Sequence, residues 1–497
     1  MVSSEKGAGF MYSIERPTGD FQVPDGYTEK EFYEDGAHVY RAYKKDDTAI
    51  FVNHFKSTGE VQVVTDKSCN YFEFDGGALA HVTAPQITQL HLEDFGMAYT
   101  VRLCDGRFIV IDGGWGFAPD IDRLFNALTD SSVLKKPTVA MWIMTHPHCD
   151  HYHAFFPFYE KYGKDVIIER FMFNFPDADD ISHYPKLAEV SGIYDLPETE
   201  MIPKFLQLVK RMGVPVYTAH TGQKYKIGGA ELEIIASLDD TYGVTENINS
   251  TSLVIRMRLG GQVILWGADA SVEYAKLVTR YQKLLKADIL QVMHHGFGGG
   301  SAEVEAKGYE LIDPDVCLLP VADYHAYTNF CAFKGGARHL MTAVDIKEMI
   351  TGDKTVTLTL PYTPDSSAIL SHRQKYNDGQ QSAGAISWTF AGLDSNNKED
   401  FIFSVLNMTC SQANVTVELY FEDRESNVLF IYYKAPACKL STVDITDKNS
   451  VSSEEKYYNP HSLEKVGIAK DKPFAVRFLS DIPIIVSHKN HKEVYHS

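Results

Sequence analysis

The chain has 497 residues, of which 44% are hydrophobic and 23% charged, the ordinary composition of a soluble globular protein of about two to four domains. Its 66 acidic residues against 47 Lys and Arg give a formal charge of −19, which disfavours broad binding along a nucleic acid. The seven cysteines form no CxxC pair, so the sequence indicates neither a disulfide framework nor a cysteine zinc knuckle. Without a signal-like segment or an apolar run of about 18 residues, we expect a cytoplasmic protein with no membrane span.

The amino-terminal 84 residues alternate short β-like runs with turn signals, as in "HVYRAYKK", "TAIFVNHF" and "GEVQVVTD". From Thr83 the pattern changes to longer runs that predict paired strands: "QITQLHLEDF", "MAYTVRLCDG" and "RFIVIDGG". The Asp105-Gly106 step predicts a hairpin turn between the last two of these runs. We therefore place a domain boundary near residue 84.

The middle of the chain mixes helices with buried strands. Helical spacing of apolar residues marks "DIDRLFNALTD", "IPKFLQLVKRMG" and "SVEYAKLVTRYQKLL". Buried strands are predicted at "PTVAMWIM", "ILQVM" and "PDVCLLPVA", and a hairpin is predicted through Gly260-Gly261. Strands that alternate with helices in this way indicate an α/β domain.

From about Ser366 the chain becomes β-like to its end. The runs "FIFSVLNMT", "NVTVELYFED", "NVLFIYYKA", "FAVRFLS" and "IPIIVSH" are separated by polar turns, a rhythm typical of a β-sandwich. The predicted organisation is a β-rich segment over residues 1–84, an α/β domain over residues 85–365 and a β-sandwich-like domain over residues 366–497.

A histidine-rich loop, "THPHCDH", follows the buried strand "PTVAMWIM" and contains His146, His148, Asp150 and His151. Imidazole and carboxylate groups at this spacing can converge on Zn²⁺, Mn²⁺ or Fe²⁺, whereas a surface histidine cluster is the chance alternative. Three further strands end in similar donors: Asp112 in "FIVIDGG", Asp269 in "VILWGADA" and the pair His294-His295 in "ILQVMHHG". Ligands of α/β sheets gather at the carboxyl ends of strands, so these groups predict one site.

The order Asp-Gly-Gly, HxHxDH, strand-Gly-x-Asp and His-His-Gly resembles the metallo-β-lactamase superfamily over roughly residues 85 to 365. Within it, "NINSTSLVIRMRLGGQVILWGADA" followed by "ILQVMHHG" is most similar to the hydrolase domain of bacterial DNA-uptake channel proteins and to phosphorylcholine esterases. The resemblance implies an αββα sandwich and a bacterial metallohydrolase with two divalent metal ions.

The resemblance also implies a role for each matching residue. The first metal would be held by His146 and His148, and the second by Asp150, His151 and His295, with Asp269 bridging the two. Asp150 and His294 would in addition belong to the catalytic machinery, His294 by meeting the substrate. Asp112 would orient the ligand loop from behind.

Several histidines keep two interpretations. The superfamily usually supplies a third histidine to the first metal, and His220 is the candidate besides His183, although "TAHTGQ" departs from the usual motif. His325 in "VADYHAYTN" would be a catalytic residue that reaches substrate, or a loop histidine. His153 would face the pocket or cap a helix, and Cys149 is a bystander more readily than a nucleophile.

The glycine run "GFGGGS", residues 296–301, has the composition of a phosphate cradle or equally of a flexible linker.

The expected chemistry is hydrolysis by a hydroxide that bridges two metal ions, with Zn²⁺ the expected metal and Mn²⁺ or Fe²⁺ the alternatives. The resemblance favours a small or surface-attached phosphodiester or related ester, and so a phosphodiesterase-like esterase before an amidase. A nuclease and a lactone or amide hydrolase remain alternatives. From a different class, so does a non-catalytic protein that binds a glycan or a partner and keeps a vestigial metal site.

Overall fold

The computed structural model describes residues 12–77, 80–176, 181, 184–191, 194–244, 246–270, 273–297, 302–322, 344–365, 385–394, 396–407, 412–421, 429–436, 439–445 and 473–488. The chain divides near residue 368 into two compact units. The predicted boundary near residue 365 stays a prediction. The predicted boundary near residue 84 falls inside the first unit, and the three-part division itself stays a prediction.

The first unit contains strands of three sheets and a short two-stranded ladder. Its strands are β1 (Tyr12–Glu15), β2 (Thr28–Glu34), β3 (His38–Lys45), β4 (Thr48–Phe55), β5 (Val61–Asp66), β6 (Gln86–Gln89), β7 (Ala98–Arg102), β8 (Phe108–Asp112), β9 (Thr138–Ile143), β10 (Ile167–Ile168), β11 (Phe171–Phe173), β12 (Val190–Ser191), β13 (Leu196–Pro197), β14 (Val216–Thr218), β15 (Lys224–Ile227), β16 (Ala230–Ala236), β17 (Val254–Leu259), β18 (Gln262–Trp266), β19 (Ile289–Gln291), β20 (Val316–Leu319), β21 (Glu348–Thr351) and β22 (Val356–Thr359).

From β8 onward, helices separate many of the strands of this unit. They are α1 (Ala118–Asp130), α2 (Cys149–Tyr152), α3 (Phe155–Tyr162), α4 (Glu198–Met212), α5 (Leu238–Thr241), α6 (Glu273–Tyr281) and α7 (Ala302–Ile312). Short 3₁₀ turns lie at Tyr71–Glu73, Pro185–Ala188, Ile248–Thr251, Gln282–Leu285 and Met293–Gly296. No helix in the described ranges is long and apolar enough to cross a lipid bilayer.

Two mixed sheets form the centre of the first unit. Sheet I has the order β14-β11-β9-β8-β7-β6-β22, with β10 beside β9, and its strands β8, β9, β11 and β14 run parallel. Sheet II has the order β15-β16-β17-β18-β19-β20-β21, with β18 to β21 parallel. The parallel strands therefore place their carboxyl ends, and the loops that follow, at one edge of each sheet.

The two sheets pack face to face and helices cover their outer faces. Ile109 and Ile143 of sheet I share one core with Ile264 and Ile289 of sheet II. The opposite face of sheet I buries side chains of α1, α3 and α4, among them Leu124, Phe155 and Phe205. On the other face of sheet II, Tyr274 of α6 and Tyr309 of α7 bury their rings 5.7 Å apart. These four layers confirm the predicted αββα sandwich of the metallo-β-lactamase fold.

The amino-terminal sheet, in the order β1-β5-β4-β3-β2, packs onto this sandwich. Strands β3 and β4 coincide with the runs "HVYRAYKK" and "TAIFVNHF". Tyr40 and Phe51 of this sheet belong to the same core as Tyr225 and Ile227 of β15. The alternating apolar residues of the first 84 positions thus bury one face of this sheet against sheet II.

Some predicted elements differ from the observed ones. The run "SVEYAKLVTRYQKLL" is α-helical only to Tyr281, and a 3₁₀ turn completes it because Gln282 has a left-handed φ of 47°. The run "QITQLHLEDF" is a strand only over its first residues, at β6. Hydrophobic periodicity therefore located both elements but not their ends.

In its described residues, the second unit consists of strands and a 3₁₀ turn at Lys398–Phe401. They are β23 (Ala385–Asp394), β24 (Ile402–Asn407), β25 (Ala413–Phe421), β26 (Leu429–Ala435), β27 (Lys439–Asp444) and β28 (Pro473–His488). The runs "FAVRFLS" and "IPIIVSH", predicted as two strands, form the single long strand β28, whose first half pairs with β25 and whose last residues pair with β24. Phe403, Val417 and Phe478 are buried in the core that these strands enclose.

Candidate metal centre

The histidine loop joins a buried strand to a single helical turn. All residues of β9 are buried, and the chain bends at His146 and Pro147 before His148, whose φ and ψ of −99° and 148° are extended. Helix α2 then begins, so Asp150 and His151 project from its first turn. The bend brings His146 and His148 together, with Nε2 of His146 3.2 Å from Nδ1 of His148.

Asp112, at the end of β8, fixes the conformation of this loop through hydrogen bonds. Its two carboxylate oxygens accept the backbone N–H and the hydroxyl of Thr145, both at 2.8 Å. Oδ2 also lies 2.8 Å from Nδ1 of His151, which donates its proton to the carboxylate. This bond turns Nε2 of His151 towards the centre of the site. Burial raises the pKa of Asp112, while His151 opposes that rise.

Donor atoms from both sheets meet in two adjoining groups. One group is Asp150, His151, Asp269 and His295, and the other is His146, His148 and Asp269; within each group the donor atoms all lie within 4.8 Å of one another. The aspartate that follows β18 belongs to both. The structure thus brings together six of the seven residues that the sequence predicted as metal ligands.

The distances around Asp269 are short enough for a shared ligand. Its Oδ2 lies 3.2 Å from Nε2 of His151, 3.4 Å from Nε2 of His295 and 3.7 Å from Nε2 of His146. Nε2 of His295 is also 3.0 Å from Oδ2 of Asp150. Carboxylate and imidazole donors at this density are the usual ligands of Zn²⁺ and other divalent transition metals.

Buried atoms of the group lack hydrogen-bond partners among the described residues. They are Nε2 of His151, both ring nitrogens of His295 and Oδ1 of Asp269, and all three side chains are at most 2% exposed. The two Nε2 atoms lie 3.0–3.2 Å from carboxylate oxygens of Asp150 and Asp269, but without the geometry of a hydrogen bond. A buried polar atom with no partner is costly unless an ion or a ligand satisfies it. The donor set therefore fits two divalent ions that share Asp269.

Electrostatics divide the histidines into two kinds. Burial lowers the pKa of His146 and His148, which favours the neutral imidazole that binds a metal. Burial acts in the same direction on His151 and His295, but Asp269 and Asp150 outweigh it and raise both pKa values, that of His295 to about 9. The carboxylates thus favour positive charge at the centre of the second group.

The two loops that carry Asp269 and His295 depend on left-handed backbone. Ala268, His294 and His295 have φ values of 47°, 49° and 52°, and such values are uncommon outside glycine. Gly267 is required because a Cβ there would lie 2.2 Å from Cγ of Met293. Strained backbone of this kind persists only where the surrounding contacts hold it in place.

Gln291, fully buried at the end of β19, supplies those contacts. Its Oε1 accepts the backbone N–H groups of Gly267 and Ala268 at 2.9 and 2.6 Å, and its Nε2 donates to the carbonyl of Val292 at 2.6 Å. The N–H of His294 donates to the carbonyl of Ala268 at 2.8 Å and closes the link between the loops. Gln291 was not among the residues predicted from the sequence. A single amide within the apolar run "ADILQVM" could have indicated a buried residue with a hydrogen-bonding role.

Replacing Gln291 with leucine is expected to weaken metal binding about 10- to 100-fold, the usual effect of losing a group that orients metal ligands. The leucine variant keeps the volume of the side chain but removes the acceptor for Gly267 and Ala268. Competition with a fluorescent chelator measures the affinity. As a control, Gln262→Leu alters an amide at the opposite end of β18 and is expected to leave the affinity unchanged; equal affinities in all three proteins would refute the role of Gln291.

His294 lies next to the donor group that contains Asp269 and His295, but it is not a member of that group. Its Nε2 accepts a hydrogen bond from Nδ2 of Asn249 at 3.1 Å and is 3.9 Å from Oδ2 of Asp269. Its side chain is 25% exposed, against 1% for His295. Ser252, close to Asn249 in the chain, accepts the backbone N–H of Asp269 at 3.2 Å. Asn249 and Ser252 were not predicted from the sequence.

His220 lies outside both groups. Its Nδ1 is 3.1 Å from Oδ1 of Asp239 and its Nε2 is 3.0 Å from Oδ2 of Asp66, so carboxylates engage both ring nitrogens. The sequence-based interpretation of His220 as a metal ligand is corrected by this placement, and His220 is left out of the ligand set proposed below. It instead joins β5 of the amino-terminal sheet to α5.

His220 is expected to make folding stability depend on alkaline pH. Burial alone would lower its pKa, but Asp239 and Asp66 raise it to about 10. A raised pKa stabilises the fold fully below the unfolded value of about 6.5, and this contribution is lost as the pH rises towards 10. Urea unfolding from pH 6 to pH 10 should show a steeper loss in wild type than in His220→Gln. Parallel curves would contradict this assignment.

The remaining predicted residues are placed as follows. Nε2 of His153 is 3.0 Å from Oε1 of Glu198 at the start of α4, and the hydroxyl of Tyr152 donates to the same carboxylate. Cys149 is buried on α2. His183 and His325 lie outside the described residues, as do residues 298–301 of the glycine run.

A third cluster of donor residues, Asp35, His38 and Glu233, lies between the amino-terminal sheet and β16. Nζ of Lys224 is 3.4 Å from Oδ2 of Asp35 and 3.7 Å from Oε1 of Glu233. Arg256 pairs with the other oxygen of Glu233. These two cations already balance the two carboxylates, so the cluster carries no metal assignment.

No protein-family model and no curated protein sequence matches the chain. Among solved structures, the chain is similar to the metallo-β-lactamase fold protein YhfI from Bacillus subtilis, at 12% identity and a TM-score of 0.33 over 55% of this chain and 99% of that one. It is also similar to Igni18, a metallo hydrolase from Ignicoccus hospitalis, at 14% identity and a TM-score of 0.30 over 55% and 99%. A third is CmlA, a diiron β-hydroxylase from Streptomyces venezuelae, at 12% identity and a TM-score of 0.35 over 58% of each chain.

Proposed function

We propose that this protein is a hydrolase that depends on two divalent metal ions and cleaves a phosphodiester or a related ester. The observation that carries the proposal is the position of Asp269, whose carboxylate belongs to both donor groups. A carboxylate shared in this way is the arrangement needed to hold two ions a few ångströms apart. When bound, such ions lower the pKa of a water and stabilise charge on the attacked oxygen, which is the chemistry that ester hydrolysis requires.

In this proposal each residue of the chain has a defined task. His146 and His148 bind the first ion and Asp150, His151 and His295 the second, with Asp269 between them. Asp112 keeps Nε2 of His151 directed at the ion by accepting the proton of Nδ1. The left-handed turn at residues 294–295 presents the two imidazoles differently, one inward and one partly to solvent.

His294 is proposed to contact the substrate. Its side chain is 25% exposed, and it lies within 3.9 Å of the shared carboxylate, so a bound ester would pass close to its ring. Asn249 holds the ring by donating to Nε2. The role of His325 as a further substrate contact remains a prediction from the sequence.

The surface charge supports a small substrate before a long polyanion. A formal charge of −19 repels extended nucleic acid, whose phosphates usually contact many Lys and Arg side chains. We therefore propose a small or surface-attached phosphodiester, with Zn²⁺ as the metal. Nuclease action, lactone or amide hydrolysis and metal-independent binding are the alternatives that the experiment below separates.

The test combines metal analysis with a substrate panel. Purified protein loaded with Zn²⁺, Mn²⁺ or Fe²⁺ is expected to hold about two ions per chain and to hydrolyse bis-p-nitrophenyl phosphate, with loss of activity on chelation. A lactone, a β-lactam and single-stranded DNA complete the panel. Fewer than about one ion per chain would overturn the enzyme assignment. Turnover of the lactone or β-lactam alone would overturn the phosphodiester assignment, and turnover of DNA alone would favour the nuclease.

A further inference from the structure

Three partly exposed aromatic side chains, Phe95, Trp115 and Phe297, adjoin the second donor group. The ring of Phe95 lies edge-on to His295 with a centroid distance of 5.6 Å, and it lies 5.5 Å from Trp115 and 6.5 Å from Phe297. The ring of Phe297 lies 5.4 Å from that of His294. These three side chains, here called the aromatic wall, thus continue outward from the two histidines that follow β19.

The aromatic wall is fixed to the ligand loop through the backbone. The N–H of Met97 donates to the carbonyl of Asp150 at 3.0 Å, and the indole N–H of Trp115 donates to the carbonyl of Phe95. Gly96 has a φ of 158°, and a Cβ there would lie only 2.9 Å from the carbonyl oxygen of Asp150. These contacts hold Phe95 and Trp115 beside the loop that carries Asp150 and His151.

The charged groups of the site could bind the ester of a substrate. They do not explain how the rest of the substrate would be recognised. Burial has the largest effect on the pKa values of His146, His151, Asp269 and His295, and the charged groups that follow it are other histidines and aspartates. An anionic substituent would meet this acidic surrounding once past the ions. Aromatic rings in offset or edge-on arrangements instead favour a flat, apolar group, and they do so with little loss of conformational freedom.

We propose that the aromatic wall is a subsite that holds a flat aromatic ring attached to the ester next to the bond that is cleaved. This inference rests on the proposed function, because it names the substrate class of the same site. A planar ring held in the aromatic wall would lie next to His294, whose ring is 5.4 Å from that of Phe297 and whose Nε2 is 3.9 Å from Oδ2 of Asp269, so its ester would lie close to the donor groups. Simple aryl groups and nucleobases share this chemistry.

The test measures binding of product analogues and so does not depend on turnover. By isothermal titration calorimetry, phenyl phosphate is expected to bind the Zn²⁺-loaded protein at least 10-fold more tightly than methyl phosphate. In the Trp115→Ala and Phe297→Leu variants, the ratio of the two affinities is expected to fall towards one. Phe32→Ala, which removes an exposed aromatic ring on β2, should keep the wild-type ratio.

The outcomes separate this subsite from the proposed function. A wild-type ratio near one, or an unchanged ratio in both wall variants, overturns the subsite even if the protein hydrolyses esters. Selective binding of phenyl phosphate by a protein that cleaves no ester in the panel supports the subsite and overturns the proposed function. Adenosine and uridine 5′-monophosphates, measured beside phenyl phosphate, distinguish a nucleobase from a simple aryl group as the preferred ring.

Discussion

Replacing Asp269 with asparagine is expected to abolish turnover, by at least about 10³-fold, and to lower the metal content from about two ions per chain to one or none. The amide keeps the size of the side chain but removes the negative charge that His151 and His295 face at 3.2 and 3.4 Å. Because this carboxylate belongs to both donor groups, its loss affects both ions together. Metal analysis by mass spectrometry and hydrolysis of bis-p-nitrophenyl phosphate measure the two effects.

The matched control is Asp122→Asn on α1. Asp122 is an exposed aspartate whose carboxylate pairs with Lys161 and accepts from Tyr162, far in the chain from the donor groups. This variant should keep two ions and full activity. His151→Ala should behave as Asp269→Asn does while the circular dichroism spectrum stays that of the folded protein. Two bound ions and normal turnover in Asp269→Asn would remove the basis of the proposed function.

Replacing Arg280 with methionine is expected to lower the free energy of unfolding by about 3–5 kcal/mol, the usual cost of removing one partner from a buried ion pair. The Arg280 side chain is 1% exposed, and it donates to Oδ1 of Asp240 at 2.6 Å and to Oε1 of Glu60 at 2.7 Å. Its guanidinium also lies 3.8 Å from the ring centre of Phe55. The methionine variant would leave Asp240 buried without its counter-charge.

Urea unfolding measures the loss, and Arg41→Met is the control. Arg41 also pairs with an acid, Glu29, but the two side chains are 43% and 41% exposed, so its removal should cost about 1 kcal/mol or less. Burial raises the pKa of Asp240, but Arg280 and Lys276 lower it to about 2. The stabilisation is therefore present above the unfolded value of about 3.9 and is lost as the pH falls towards 2. An Arg280→Met protein as stable as Arg41→Met would contradict this account.

Much of the candidate site could be predicted because its signals are local. His146, His148, Asp150 and His151 lie within six residues, on a bend that leads into one helical turn, so a short sequence motif contains four of the donors. Donors that follow buried strands gather at one edge of a sheet by the geometry of parallel strands, so Asp269 could be placed near the loop without coordinates.

The position of His220 outside the donor groups could not be predicted, because its partners come from distant parts of the chain. Asp66 belongs to the amino-terminal sheet, 154 residues before His220 in the chain. No pattern near "TAHTGQ" indicates that Asp66 and His220 are in contact. Gln291 and Asn249 were missed for a related reason. Each acts through hydrogen bonds to a loop more than 20 residues away in sequence, and such pairings follow from tertiary packing.

For the fold, too, local sequence patterns predicted some features and missed others. Alternation of apolar residues identified β3 and β4 to the residue, because one face of that sheet is buried. It could not show that this sheet shares a core with β15, nor that two apolar runs near the end of the chain form the single strand β28. Strand partners and strand continuity depend on contacts between segments that a linear pattern does not record.

The donor residues come from loops that follow β9 of sheet I and β18 and β19 of sheet II, and this has a thermodynamic consequence. An ion held by Asp150 and Asp269 together cross-links the two halves of the sandwich, and it binds the folded state far better than an unfolded chain in which these residues are far apart. By mass action, metal at 100 times its dissociation constant adds about 2.7 kcal/mol to the stability of the folded state. In calorimetry, added Zn²⁺ should therefore raise the melting temperature of the first unit, because the donor residues of both groups belong to it. In this protein the metal would stabilise the packing of the two sheets as well as take part in the reaction.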